Sequence, residues 1–490
     1  MASRSIADVR SYIPEGHRVC FVSGKFNVVH PGHLRLFRHA KEICDHLVVA
    51  VYPDDWSLEI VLPAVDRLEG VRSNVWVDDA FLLSEDLEAT IIALRPDVVL
   101  KGKEHEVLDN VEKAPVNSYG GVLRFAGGQL GVSSSFLLSA EGDNTGDINQ
   151  HADSYLARHG ISKTKLVEIV QSINRIKVLV VGDVILDRYI DCQPLGLSAE
   201  DPSIVVSPLV SREFVGGAGM VAGHAAGLGG QATFISVAGE DEEVEFVEKG
   251  LLTYGAVPHI FRDSDRPTTV KTRYRAENKT LLRVNRLRDH QIDEQLSSRV
   301  LSCVLDQLTD ADLLVCSDYS YGLLGALMVE RIASYGREKK LIMAGDSQSS
   351  SQIGDVTKFR NFSLLTPTEK EARLAVRDNN LGLVGVSQRL HELTGAEHIP
   401  ITLGSEGVFL HHMGSKIHAA EDDRIPALNR NPTDVSGAGD AFLVSTALCL
   451  ASGTDIWEAM YIGSIASACQ VRRVGNIPLT RDELLRYLRL

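Results

Sequence analysis

Hydrophobic positions along this chain repeat in two registers. Near the start, the unbroken apolar runs 18-RVCFVS-23 and 46-HLVVAVY-52 flank 33-HLRLFRHAKEI-43, where apolar residues recur at helical spacing. Short continuous strands alternating with amphipathic helices predict a parallel sheet covered on both faces. The alternation continues through 89-ATIIALRPDVVLKG-102 and 121-GVLRFA-126 to a helix start at 133-SSSFLL-138, and there it stops. Residues 140-AEGDNTGDINQHADS-154 are polar, acidic and poor in apolar side chains, which predicts a linker over 140–162. A helix near 163-KTKLVEIVQSINR-175 and the strand 177-KVLVVGDVILD-187 open a second alternating series. The pattern predicts two α/β domains, 1–139 and 163–490.

Composition narrows the functional classes. The 490 residues are 44% hydrophobic, enough for two or three well-filled cores. Lys and Arg total 50 against 65 Asp and Glu, a formal net charge of -15. That balance argues against nucleic-acid or membrane partners, while leaving room for phosphate ligands in small pockets. The opening MASRSIADVRSYIPEGH has no apolar stretch suited to a secretory signal. The longest apolar segments, such as 441-AFLVSTALCLASG-453, fall short of the ~18 residues needed to cross a bilayer. Seven scattered cysteines with no CxxC pair fit buried free thiols of a reducing compartment. The expectation is a soluble, cytoplasmic protein acting on small molecules.

In 24-GKFNVVHPGHLRLF-37, between a strand end and a helix, His30 and His33 flank Gly32. A helix N-terminus offers unpaired backbone N–H groups and a positive dipole end, and two imidazoles there can donate to phosphate oxygens. Two histidines with no third ligand nearby make a poor zinc site.

These residues resemble the HxGH nucleotidyltransferases, over Phe21 to Leu138, and in particular their cytidylyltransferase-like branch. The resemblance implies a Rossmann-like domain in which His30 and His33 steady the α-phosphate of a nucleoside triphosphate, ATP or CTP, while pyrophosphate leaves. It implies nucleotide or phosphate contacts from Phe26, from Lys101 in 98-VVLKGKEH-105, and from Ser133, Ser134 and Ser135. Three departures stand out. Asn27 replaces a common acidic residue, and the Lys-rich segment after the second strand reads 53-PDDWSLEIVLPAVDR-67, with Arg67 its one basic residue. The later arginine is displaced to Arg72. HxGH also marks class I aminoacyl-tRNA synthetases, but the chain has no KMSKS-like loop.

The second series carries 434-DVSGAGDAF-442, a Gly-rich turn entering an apolar helix. Gly437, Ala438 and Gly439 can converge backbone N–H groups into an anion hole at the helix start. Asp440 at its mouth can take a proton from an attacking hydroxyl; the plainer alternative is a helix capped by Ser436 with Asp440 in its first turn. The stretch 215-VGGAGMVAGHAAGLGG-230 has the spacing of a dinucleotide fingerprint, with Glu240 about where an acidic partner belongs. It neither opens the domain nor follows a strong strand, so close helix–sheet packing is the better reading.

Together with 267-PTTVKTRYRAENKTLLRVNR-286, 316-CSDYSYGLL-324 and 364-LLTPTEKEA-372, these segments resemble the ribokinase-like (PfkB) carbohydrate kinases over roughly residues 177 to 490. Within them the likeness is to the kinase half of bifunctional ADP-heptose synthases, here with the two domains in the reverse of the common order. The resemblance implies Asp440 as the base and Gly437–Gly439 as the cradle of the transferring phosphoryl group. Asp187, Gly216 and Gly217 would line the sugar site, while Lys271 and Arg273 would hold a phosphate already on the sugar. Thr402, Gly404, Gly407 and Thr368 would border ATP, and Glu371 would organise Mg²⁺ through water. A solvated edge strand is the alternative for Lys271 and Arg273. Kinases of this kind are often homodimers. Departures are Met220 for a sugar-contacting Asn, Thr368 for the Asn of the NxxE motif, and Gln348 for the Lys of an Asp-Pro-Lys segment.

Overall fold

The computed structural model describes residues 9–489 except 11, 30, 58, 59, 61, 85, 103–109, 127–144, 199, 200, 202, 277, 278, 350–353, 380, 414–420 and 430. The chain divides into two units: residues 1–151 with 378–386 and 414–424, and residues 152–377 with 387–413 and 425–490.

In the first unit, strands β1 (Val19–Gly24), β2 (His46–Val51), β3 (Asp79–Leu82), β4 (Val98–Gly102) and β5 (Val122–Ala126) form one parallel sheet in the order β3-β2-β1-β4-β5. Phe21 and Val22 of β1 are both buried, on opposite faces of the sheet, as the continuous apolar run requires. Strand order reverses beside β1, so the loop from Lys25 to the helix Pro31–Ile43 leaves the sheet where an α/β fold opens a ligand crevice.

The second unit is built on β6 (Lys177–Gly182), β7 (Val184–Leu197), β8 (Ile204–Gly217), β9 (Gln231–Ala238), β10 (Val257–Arg262), β11 (Val270–Ala276), β12 (Lys279–Arg286), β13 (Leu313–Asp318), β14 (Ile342–Ser347) and β15 (Leu364–Leu365). Six of these make a parallel sheet, β10-β9-β6-β13-β14-β15, and four a mixed one, β12-β11-β7-β8. The sheets meet at Asp183, the single residue between β6 and β7. Gly182 is obligatory there, because a Cβ would lie 2.0 Å from the Ser317 carbonyl oxygen. Helices Ala438–Ala451 and Ile456–Gln470 are almost wholly buried, which explains why their sequences are apolar all round rather than striped.

Two expectations change. The segment read as a linker is helical over Thr145–Arg158, and Tyr155 is buried with its hydroxyl donating to the Trp457 carbonyl at 2.8 Å. The polar composition reflects a helix that buries only a few side chains. Strand β11 is not an edge: it pairs with β7 on one side and β12 on the other, and Lys271 is buried within it. No helix among the described residues is long and apolar enough to cross a membrane.

Candidate active site

Three neighbouring parallel strands end at one edge, and the first residue beyond each faces the same chemistry. After β6, Asp183 accepts the backbone N–H groups of Tyr319 at 2.8 Å and Tyr321 at 3.3 Å. Burial, with the charge of Asp318 beside it, raises its carboxyl to about 6. After β13, Tyr319 reaches Asp440, its hydroxyl 3.3 and 3.4 Å from the two carboxylate oxygens. After β14, the Gln348 side-chain amide donates to Asp440 Oδ1 at 2.9 Å.

Asp440 lies in the first turn of the helix Ala438–Ala451, 4% exposed. Burial is the main cause of its raised pKa, about 6; the charge of Asp187 adds to it, while Tyr319, Lys271 and Gln348 oppose it. A carboxyl so placed is ionised at neutral pH yet basic enough to accept a proton. The alternative Ser436 cap is not made. The N-cap is Gly437, in the left-handed region at φ 75°, with no side-chain hydrogen bond. Ser436 instead accepts from Tyr189 at 3.2 Å, and Asp434 ties the turn down through Tyr189 at 3.0 Å and the Gly475 N–H at 3.1 Å. Among the described residues the first N–H groups of the helix have no side-chain acceptor, and that of Ala438 donates to the Val435 carbonyl at 3.4 Å.

Beside this turn opens a cavity of about 320 Å³, lined by Ala438, Gly439, Thr368, Thr402, Gly404 and Gly407 together with apolar Val408, Leu428, Phe442 and Val471. Four residues expected at a nucleotide thus share one pocket with the anion turn, and its apolar walls suit a planar base. A Cβ at Gly439 would meet no atom within 4 Å, so that backbone faces open space. At Gly407 a Cβ would sit 1.9 Å from the Ile425 carbonyl oxygen. Glu371 closes a capping box with Thr368, receiving the Thr368 N–H and hydroxyl at 2.9 and 2.8 Å on Oε2. Its Oε1 accepts the Ser349 N–H at 2.7 Å. Nearby Asp346 is fully buried, and its carboxyl is held well above the usual range by burial and the charges of Glu371 and Asp440.

The sugar-side residues also meet. Asp187 forms an ion pair with Arg273 and accepts the Asn476 amide at 2.8 Å. Arg273 lies 5.0 Å from the Tyr189 ring centroid, and Lys271 lies 4.7 Å from that of Tyr319. Gly216 is required by Asp187 itself, since a Cβ there would stand 2.2 Å from Asp187 Oδ2. Gly217 takes φ 59° and sits against the Asp183 carbonyl. Met220 is fully buried in the following helix.

In the first unit, His30 and Ser133–Ser135 lie outside the described residues. His33, in the first turn of the helix Pro31–Ile43, has Nδ1 3.2 Å from the Val28 carbonyl oxygen, and its ring packs edge-on against Phe26 at 4.8 Å. The Phe26 ring is buried. Lys101 pairs with buried Glu112 at 2.7 Å. Arg67 is fully buried, donating to the Leu62 and Lys25 carbonyls at 2.8 and 2.6 Å and to Asp54 at 2.7 Å. Arg72 donates to the Ala80 carbonyl. These three cations hold the unit's own loops and strands.

A carboxylate at the mouth of a helix N-terminus, a cavity of about 320 Å³ on one side and a buried charged cluster on the other make an arrangement suited to the carbohydrate-kinase class. Residues 175–482 match the pfkB family carbohydrate kinases, and the chain belongs to that family. Residues 21–119 match the cytidylyltransferase-like family. Among curated relatives, the bifunctional protein HldE of Helicobacter hepaticus is 30% identical over 317 residues, 64% of this chain and 64% of its own length. That of Rhodospirillum rubrum is 31% identical over 326 residues, 65% of this chain and 64% of its own. The match therefore spans under two thirds of these relatives' length. Phosphofructokinase-2 from Escherichia coli, solved with substrates and products, superposes with a TM-score of 0.54 at 17% identity, covering 64% of this chain and 98% of its own, a likeness of fold.

Proposed function

We propose that the chain is a cytoplasmic bifunctional enzyme: an ATP-dependent sugar-phosphate kinase joined to a sugar 1-phosphate nucleotidyltransferase, serving nucleotide-activated heptose synthesis. The transferase domain precedes the kinase, the reverse of the common order. The observation that carries the reading is Asp440, which stands between the cavity bordered by Thr402, Gly404, Gly407 and Gly439 and the cluster of Asp187, Arg273 and Asn476.

In the kinase reaction the sugar, its phosphate near Lys271 and Arg273, presents its anomeric hydroxyl to Asp440. The proton passes to the carboxylate as the hydroxyl oxygen bonds the γ-phosphorus and the bond to the ADP oxygen breaks. The N–H groups of the Gly437–Gly439 turn receive the negative charge that builds on the phosphoryl oxygens. Glu371 would organise Mg²⁺ through water: among the described residues its Oε1 accepts only the Ser349 N–H, and a carboxylate oxygen has two lone pairs. When bound, the ion neutralises phosphate charge.

The test is a paired assay on the whole chain with Mg²⁺. One arm follows ADP from ATP with heptose 7-phosphate; the other follows pyrophosphate from ATP or CTP with heptose 1-phosphate. Activity in both arms supports the reading, and silence in both overturns the heptose assignment. A second reading, in which the HxGH domain is a nucleotide-binding or oligomerisation module of a sugar kinase, is favoured by the internal pairing of Lys101, Arg67 and Arg72. ADP without pyrophosphate would select it.

A further inference from the structure

We infer that Gln348 is a positioning residue of the kinase site, which holds one oxygen of Asp440 so that the other serves as the base. This rests on the proposed kinase reaction. An aspartate in the first turn of a helix can rotate its carboxylate, and the two oxygens are chemically equivalent until a neighbour distinguishes them. Tyr319 cannot do so, because its hydroxyl sits 3.3 and 3.4 Å from the two. Gln348 does, with a 2.9 Å bond to Oδ1 alone. That leaves Oδ2 to face the hydroxyl.

The donor is itself fixed. Gln348 follows β14 directly, and its backbone N–H donates to the Asp318 carbonyl at 2.8 Å. The preceding Ser347 hydroxyl donates to Asp318 Oδ2 at 2.7 Å, and Lys358 holds the same carboxylate at 2.6 Å. The chain therefore enters the site from an anchored backbone, and only the side-chain torsions of Gln348 remain to be set. A neutral donor orients Asp440 without the counter-charge that would make it a weaker base.

Three substitutions separate donation from packing. Gln348→Met keeps length and volume but donates nothing. Gln348→Lys keeps a donor, and Gln348→Glu places a second carboxylate against that of Asp440. With ATP and heptose 7-phosphate, Gln348→Met is expected to lower kcat by about 10²-fold with little change in either KM, as misorientation of a reacting group does. Gln348→Lys is expected to retain at least about tenfold more kcat than the methionine variant, and Gln348→Glu to be the weakest, since charge-assisted donation is replaced by repulsion. Wild-type kcat in Gln348→Met, or equal losses in the Met and Lys variants, would overturn the proposal. A urea-unfolding cycle decides it independently of substrate. Gln348→Met should lower the midpoint in the parent and leave it unchanged in an Asp440→Ala background; equal shifts in both mean that the bond to Asp440 does not exist. Coupling in the cycle without turnover of any sugar phosphate would refute the kinase reading and with it the positioning role.

Discussion

Replacing Asp440 by Asn should make the protein more stable and at the same time remove its kinase activity. The carboxyl is raised from 3.8 to about 6, chiefly by burial. A difference of about 2 units corresponds to about 3 kcal/mol set against the folded state once the group is ionised. The sign follows from proton uptake: between the two values the native state holds a proton that the unfolded chain has released. The penalty is therefore full above pH 6 and fades as pH falls toward 3.8. Asparagine is nearly isosteric and carries no charge, although its amide nitrogen cannot accept from Gln348 or Tyr319. The net gain at pH 7.5 is expected to be about 1–3 kcal/mol, falling to roughly a third of that at pH 4.5. Turnover should drop by about 10²–10⁴-fold through loss of the general base. Urea unfolding at the two pH values, followed by a probe within residues 152–490, measures the first quantity, and ADP release measures the second. A variant less stable than wild type at pH 7.5, or one whose advantage is the same at both pH values, would refute the electrostatic reasoning.

Three further outcomes follow from particular contacts. Gly216→Ala brings a methyl within 2.2 Å of Asp187 Oδ2, so Asp187 must move; KM for the sugar phosphate should rise by about tenfold or more while ATP affinity is nearly unchanged, as steady-state kinetics and calorimetry would show. Arg273→Met removes the ion-pair partner of the Asp187 carboxylate, 7% exposed, and should lower stability by about 3 kcal/mol as well as weakening sugar-phosphate binding. Lys101→Met strands buried Glu112 and should destabilise the first unit by about 3–5 kcal/mol, with most of the loss recovered when Glu112→Leu is added. An intact, stable Lys101→Met variant that had lost only nucleotide affinity would show that the lysine serves phosphate rather than the fold.

Much of this molecule can be read from its amino acids. The parallel sheets follow from apolar runs such as 46-HLVVAVY-52, because a strand buried on both faces leaves no polar alternation. The Gly437–Asp440 turn and the Gly216–Gly217 pair were legible because only glycine tolerates φ 75° or a carboxylate 2.2 Å from its would-be Cβ. Tyr319 and Gln348 were harder, since each acts only because neighbouring strands end together, which depends on strand order and not on local sequence. The carboxyl ends of β13 and β14 were the available hint. Asn476, in the loop 474-VGNIPL-479, carried no periodic signal and is recognisable only by its bond to Asp187, 289 residues away. The helix Thr145–Arg158 was hidden by polar composition, and the internal use of Arg67 by the absence of any local cue that its partners would be carbonyls.

The most direct test of the central claim follows phosphate in both directions through one reaction. Wild-type protein with ATP, Mg²⁺ and heptose 7-phosphate should yield ADP and a sugar 1,7-bisphosphate in equal amounts by ³¹P NMR, and Asp440→Asn should yield neither while remaining folded. Equal turnover by the two proteins, or ATP consumed with inorganic phosphate as the only phosphoryl product, would contradict it.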